Sequence, residues 1–481
     1  MNLYIGIDLG TSSLKGLLVN EEGEILRTAS SDYEVYYPEN GWSEQDPADW
    51  VKAMDLVLAE LSLDHEDEIR GISFGGQMHG LVALDRDGEV IRPCILWNDG
   101  RTEAQTAWLN ESVGKEKLSS MTGNIAFAGF TAPKLLWMRE QEPENFARIR
   151  KIMLPKDYLV YVLTGSFSCD YSDASGMLLL DVQHRCWSRE MCEICGVKEE
   201  WLPQLHESAE IVGTVKKNYR LPNAVVTAGA GDNAAAAIGT GTVRNGDCNI
   251  SLGTSGTVFI AQDSFSVDSR NALHSFAHAN GRYHLMGCIL SAASCRMWWL
   301  EDILGTDDYS GDEEEIAETE DTGVIFLPYL MGERSPHNDT RIRGAFIGLS
   351  ADTTRAQMSR AVMEGVTFAL KDCLEIAEDN GLNIRSTNLC GGGARSRVWR
   401  QICADILEMP VRILTTEQGP GYGAAILAMV GTGAYGSVEE AADRIVRTSE
   451  TIQPDSERFD AYRKRYETFR KLYPLLKQLQ D

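Results

Sequence analysis

Two stretches of this chain spell almost the same hexapeptide, Ile7-Asp8-Leu9-Gly10-Thr11-Ser12 and Ile250-Ser251-Leu252-Gly253-Thr254-Ser255. Each copy ends an apolar, β-rich run, and the match points to an internally duplicated fold. The chemistry of the repeat is that of an anion-binding turn. Gly10 or Gly253 lets the backbone turn tightly, while Thr11 and Ser12, or Thr254 and Ser255, offer hydroxyls and N–H groups to phosphate oxygens. Two such turns facing each other would hold one polyphosphate from both sides. The only difference is Asp8 against Ser251, which adds a hard carboxylate oxygen to one turn, the kind of ligand Mg²⁺ takes beside phosphates and water. Either turn alone reads more readily as an ordinary β-turn with Asp8 at a strand end.

A third glycine cluster, Cys390-Gly391-Gly392-Gly393-Ala394, follows the apolar run 384–389 and precedes a helical pattern at Arg397. It predicts a flat, side-chain-free surface beside a helix N-terminus, suited to a purine ring or its phosphates. The Gly-x4-Gly-Lys-Ser/Thr signature of a P-loop is absent. The stretch Gly229-Ala230-Gly231-Asp232-Asn233 leads into an alanine-rich helix expected at 234–238. A carboxylate at Asp232, kept ionised by the helix dipole, could take the proton of a hydroxyl nucleophile; as an N-cap alone it would be unremarkable. Gln77, His79 and Asn233 can exchange hydrogen bonds with a hydroxyl-rich acceptor, and Trp97 can cover a sugar face.

The elements that must position these groups are legible in outline. Runs 3–9, 14–19 and 24–31 predict an antiparallel meander, followed by a helix at 47–61 capped by Asp46, with strands at 69–74 and 81–84. Residues 102–221 read as irregular, mostly helical elaboration. After the second hexapeptide, helices are expected at 356–377, 397–407 and 423–430 and a strand at 411–414. Phe459, Tyr462, Tyr466, Phe469, Tyr473 and Leu476 recur at helical spacing, which favours packing on the parent body over a coiled coil. Asp312-Glu313-Glu314-Glu315 reads as a solvated loop.

Composition bounds the rest. At 481 residues, with 43% hydrophobic and 24% charged residues, the chain is a folded protein of two or more domains. No apolar run reaches the ~18 residues a bilayer span needs. The N-terminus lacks the basic region of a signal peptide, so the cytoplasm is the expected compartment. Eleven cysteines without a repeated spacing favour reduced thiols, Cys192 and Cys195 included. A net charge of −26 argues against nucleic acid or an anionic membrane as partner, though not against a nucleotide.

Across nearly its whole length the chain resembles the FGGY family of carbohydrate kinases, and within it the xylulokinases. The resemblance rests on the segments 5–12, 42–47, Gln77-Met78-His79-Gly80, Leu96-Trp97-Asn98-Asp99-Gly100-Arg101 and Leu154-Pro155-Lys156-Asp157-Tyr158. Residues 129–137 resemble the first family signature and 344–364 the second. It implies two actin-like, ribonuclease-H-like α/β domains, 1–244 and 245–481, with ATP in the cleft between them. It further implies Asp232 as catalytic base, Asp8 and Asp232 as the carboxylates nearest Mg²⁺, and Met78, His79, Asp232 and Asn233 as ligands of a ketopentose. Thr11, Gly253, Thr254, Gly392 and Gly393 would bind ATP, and Arg397 stands where several relatives carry an Asn that touches the nucleotide. The implied reaction converts ATP and D-xylulose to ADP and D-xylulose 5-phosphate, in an enzyme whose relatives are often dimers. The rival readings are a kinase for L-ribulose, L-xylulose, glycerol or a sugar acid, and an actin-like ATP switch. His79 in the acceptor loop, where glycerol kinases read Gln-Arg-Glu, favours a ketopentose.

Overall fold

The computed structural model describes residues 2–319 and 323–479; the outer domain limits at Met1 and Asp481 lie outside them. Two seven-stranded sheets dominate. The first contains β1 (Leu3–Leu9), β2 (Ser13–Asn20), β3 (Ile25–Asp32), β4 (Ile69–Gly76), β5 (Ile211–Thr214), β6 (Val225–Thr227) and β7 (Ala230–Gly231). The second contains β8 (Cys248–Leu252), β9 (Gly256–Gln262), β10 (His274–Ala277), β11 (Tyr283–Ile289), β12 (Thr387–Cys390), β13 (Val411–Leu414) and β14 (Thr448–Ile452).

The spatial order β3-β2-β1-β4-β6-β5 in the first sheet is repeated as β11-β9-β8-β12-β13-β14 in the second. Strand directions repeat as well. β1 runs antiparallel to β2 and parallel to β4, as β8 does to β9 and β12. The duplicated hexapeptide therefore occupies the same place twice, the turn of the hairpin at the centre of each sheet. Central β1 is buried at every residue but Asp8 and covered on both faces, whereas edge strand β3, apart from buried Ala29, alternates half-buried with exposed residues, as a strand with one wet face must.

The expected helix 47–61 is present as Pro47–Ser62. Asp46 accepts from Ala48 N, and Trp50, Met54, Val57, Leu58 and Leu61 turn inward. The long helix Arg355–Asp379 opens with a reciprocal capping box between Thr354 and Gln357. The C-terminal helix Phe459–Lys477 packs back on this lobe, burying Tyr462, Tyr466 and Phe469. Two expectations fail. Asp312 to Glu315 lie inside a helix, Tyr309–Ala317, started by the Asp308 cap, and Asp312 is buried against Arg296. The helix after the glycine cluster 229–231 begins at Asp232 itself, with Gly231 as N-cap. Cys192 and Cys195 are buried thiols on the helix Arg189–Cys195, pushed up to about 11 and about 12 by burial.

One helix crosses the halves of the chain. Gly419–Gly431 lies on the first sheet, against β1, β4 and the helix Asp232–Gly239. The approach is close because it is made by glycine: a Cβ on Gly423 would sit 1.7 Å from the carbonyl oxygen of Ala235, and one on Gly6 would sit 1.9 Å from that of Gly421. Gly423→Ala is expected to overpack this seam by about 1–3 kcal/mol or more, lowering the thermal midpoint in calorimetry and shifting the helix that starts at Asp232. An unchanged midpoint would mean the seam yields freely.

Candidate active site

The turn of the first hairpin is braced from several directions. Gln45 Nε2 donates to the Thr11 carbonyl at 2.6 Å, Tyr33 Oη to the Gly10 carbonyl at 2.5 Å, and Trp97 Nε1 to Thr11 Oγ1 at 3.0 Å. Gln77 Nε2 donates to Gln45 Oε1 at 2.9 Å and its Oε1 accepts from Thr11 Oγ1 at 3.4 Å. Gln77 is buried, so this residue, expected to touch the acceptor, instead supports the turn from behind.

The second turn rests on the helix Ala293–Met297. The Gly253 carbonyl accepts from Ala293 N at 2.8 Å, and the Thr254 carbonyl from Ala292 N and Ser294 Oγ at 2.9 and 2.7 Å. Gly391, at φ +89°, packs bare backbone against this hairpin: a Cβ there would lie 2.8 Å from the Leu252 carbonyl. A Cβ on neighbouring Gly392 would meet nothing within 4 Å, so that glycine presents backbone to open space.

That space is a cavity of about 540 Å³. The first half of the chain contributes Met78, His79, Trp97, Asp232 and Asn233 to its walls; the second contributes Gly253, Ser255, Gly391 and Gly392. Residues as far apart in sequence as Met78 and Gly392 are thus brought to one cavity. Asp8, Gly10, Thr11, Ser12, Thr254 and Gly393 are not among its lining residues. Thr11 nonetheless orients the lining Trp97, and the charge of Asp232 reaches the Asp8 carboxyl. Arg397 is exposed at the start of its helix and does not line the cavity, where Arg395 does.

Asp232 meets the requirements of a proton acceptor. Its Oδ1 accepts from Asn233 N at 2.7 Å and Asn233 Nδ2 at 2.8 Å. Oδ2 has no hydrogen-bond partner among the described residues. Burial pushes the carboxyl up to about 6, opposed by the two Asn233 bonds. The group is therefore a stronger base than an exposed carboxylate while still ionised at neutral pH, as expected of a residue at this helix N-terminus. Asp8, beside Lys15 on the neighbouring strand, is pushed up to about 7, first by burial and then by the charge of Asp232. A carboxyl whose ionisation is disfavoured by a neighbouring carboxylate suits a divalent cation. No group of three or more His, Cys, Asp or Glu side chains that could hold a metal occurs among the described residues. A hard cation would depend on these carboxylates plus phosphate oxygens and water, the mode Mg²⁺ adopts on nucleotides.

His79 is held with unusual firmness. Its backbone is left-handed at φ +71°, and its carbonyl accepts from Thr131 Oγ1 at 3.0 Å and Lys134 Nζ at 2.9 Å. Lys134 Nζ also donates to the Gly129 carbonyl at 2.5 Å, and burial pushes this ammonium down to about 7. The ring stacks on Phe130 and its Nδ1 donates to the Gly176 carbonyl at 2.7 Å. Burial lowers the imidazole to about 3, so it is neutral, and Nε2 is left as an acceptor for a hydroxyl. Thr131 and Lys134 were not singled out from sequence as site supports, although they lie in the segment 129–137; only their contact with the His79 loop reveals the role.

Residues 3–239 match the N-terminal domain of the FGGY family of carbohydrate kinases, and residues 248–432 match its C-terminal domain. A xylulose kinase of Escherichia coli (strain K12) is 40% identical over 473 residues, covering 96% of each chain. A solved structure from Brucella ovis, described as a xyloylose kinase, superposes with a TM-score of 0.94 at 40% identity, covering 99% of this chain and 100% of that one. A gluconate kinase from Lactobacillus acidophilus superposes with a TM-score of 0.95 at 26% identity, covering 99% and 98%.

Proposed function

The chain belongs to the FGGY family of carbohydrate kinases, its two α/β lobes sharing the actin-like fold of that family, and from this premise we propose that it phosphorylates D-xylulose with ATP. One observation carries the reading. A single cavity joins the backbone surface of Gly253, Gly391 and Gly392, suited to a nucleotide, to His79, Asp232 and Asn233, suited to a polyol. The preference for a ketopentose rests on relatedness, 40% identity to the Escherichia coli xylulose kinase over 96% of the chain; the 26% identity to a gluconate kinase does not discriminate, since a xylulose kinase of the same organism stands at the same value. Fold likeness is equal for both and decides nothing.

In the reaction we envisage, the sugar's terminal hydroxyl lies against Asp232 Oδ2, while Asn233 holds Oδ1 and so fixes the carboxylate plane. As the oxygen–phosphorus bond to the sugar forms and the bond between the γ-phosphorus and the bridging oxygen of ADP breaks, the hydroxyl proton passes to Asp232. The transition state is loose, so positioning counts for more than base strength. Neutral His79 accepts a hydroxyl hydrogen at Nε2 and orients the sugar. Trp97, tied to Thr11, couples the sugar wall to the first hairpin. Asp8 and Asp232 are the residues that would hold Mg²⁺, which when bound offsets phosphate charge. Closure of the lobes would keep water from the γ-phosphate. No helix of the described residues is long and apolar enough to cross a membrane.

The test is ADP release measured with and without each of D-xylulose, L-ribulose, L-xylulose, glycerol and gluconate. D-Xylulose is expected to give the highest kcat/KM. Equal turnover without any sugar would favour an ATP switch, and a clear preference for another acceptor would reassign the substrate.

A further inference from the structure

Arg334 lines the same cavity. Its loop is built to be rigid. Buried Glu333 Oε1 accepts from Leu290 N at 2.9 Å and from Arg334 N at 2.8 Å, Glu333 and Asp339 exchange backbone bonds at 2.8 Å, and Ser335 N donates to the Cys288 carbonyl at 2.9 Å. Ser335 Oγ adds a bond to the Ala272 carbonyl at 2.9 Å. The segment is therefore fastened to the end of β11, yet the guanidinium it carries is left without an ion pair or side-chain hydrogen bond among the described residues. In a chain with 71 acidic against 45 basic residues, an unpaired, half-buried arginine in a cavity wall is not explained by stability.

Its neighbours say which ligand it faces. The guanidinium carbon lies 5.7 Å from the Phe127 ring centroid; Phe127 contacts Phe130 at 5.3 Å, and Phe130 stacks on His79 at 4.6 Å. The positive charge of Arg334 depresses protonation of both His79 and His274, and Cys288 feels both Arg334 and Asp232. These are the acceptor-side groups, not the glycine surface of Gly253, Gly391 and Gly392. A guanidinium offers parallel N–H donors spaced for two adjacent oxygens, which a ketose presents at its carbonyl and neighbouring hydroxyls.

We propose that Arg334 is a sugar-binding residue contributed by the second lobe, donating to two neighbouring oxygens of the acceptor and so linking sugar occupancy to the approach of the lobes. The inference rests on the kinase reading above, and the experiment separates the two. Steady-state constants are measured for the wild type, Arg334→Gln and Arg334→Lys, with thermal midpoints as a check on folding. Arg334→Gln is expected to raise the KM for sugar ~10-fold or more, the scale of hydrogen bonds to a charged group, with the KM for ATP within ~2-fold and the midpoint unchanged. Arg334→Lys, keeping charge but losing the fork, is expected to recover part of the loss. An active wild type whose Gln variant keeps its sugar KM, or loses kcat alone, overturns the inference and leaves the kinase reading intact. A wild type without sugar-dependent turnover overturns the kinase reading itself.

Discussion

Asp232→Asn is expected to lower kcat with D-xylulose by ~10² or more, the usual scale for a lost general base, while the sugar KM stays within ~3-fold. The split follows from the two oxygens having different duties. Oδ1 accepts both Asn233 donors, and an asparagine oxygen can accept them in the same place. Oδ2, unpartnered among the described residues, is the oxygen that takes the proton, and an amide nitrogen cannot do so. The variant should therefore fold and bind sugar normally but transfer phosphate slowly. Rates from a coupled ADP assay, with a thermal midpoint to verify folding, check this; near-normal kcat would remove Asp232 from its role.

The second large effect is expected at Lys156→Met, and it concerns stability first. Lys156 Nζ lies 2.5 Å from Asp157, 2.9 Å from Asp170 and 3.5 Å from Asp173, with all four side chains essentially inaccessible to solvent. Asp170 Oδ2 also accepts from Ser172 N and Oγ and from Ser208 Oγ, and Ser172 Oγ accepts from Gly231 N at 3.1 Å. The ammonium thus holds together a buried network that ends on the residue before Asp232. Removing it leaves three carboxylates without their cation, a loss of about 3–5 kcal/mol by analogy with other broken buried pairs. The pH dependence has a defined sign. Burial already raises Asp157 and Asp173 above the ordinary carboxylate range, opposed mainly by Lys156; without Lys156 they rise further. Carboxylates with raised folded-state pKa favour the native state at low pH and lose that contribution as pH climbs through the raised value. The deficit of the variant against wild type should accordingly be smaller at pH 5 than at pH 8. A deficit independent of pH, or none, would contradict the assignment of charge in this cluster.

What could be read from the sequence was what glycine and short-range pattern encode. The glycine clusters report backbone needs that hold wherever the chain goes; those at Gly253 and at Gly391 and Gly392 share one cavity with Asp232, His79 and Asn233, while Gly10 does not line it. The repeated hexapeptide pointed to duplication, and both hairpins take equivalent places. The strand order could not be read, because β1 finds its parallel partner sixty residues later and β8 finds its own beyond residue 380. Gln77 illustrates a local limit: one residue from Met78, it is turned inward to Gln45 and Thr11, and nothing in residues 77–80 distinguishes the two directions. The acidic run 312–315 misled because four adjacent acids read as solvated, while the pairing of Asp312 with Arg296 is a tertiary fact. Lys156 and Arg334 were silent for the same reason. Their meaning comes from partners at 170, 173 and 127, on elements the pattern of the chain does not bring together.

The most direct test of the central claim is a structure of the complex with a non-hydrolysable ATP analogue and D-xylulose. The account predicts the triphosphate between the hairpins β1–β2 and β8–β9, with the sugar's terminal hydroxyl ~2.6–3.2 Å from Asp232 Oδ2 and in line with the γ-phosphorus. A nucleotide bound outside the shared cavity, or a sugar whose reacting hydroxyl lies away from Asp232, would contradict it.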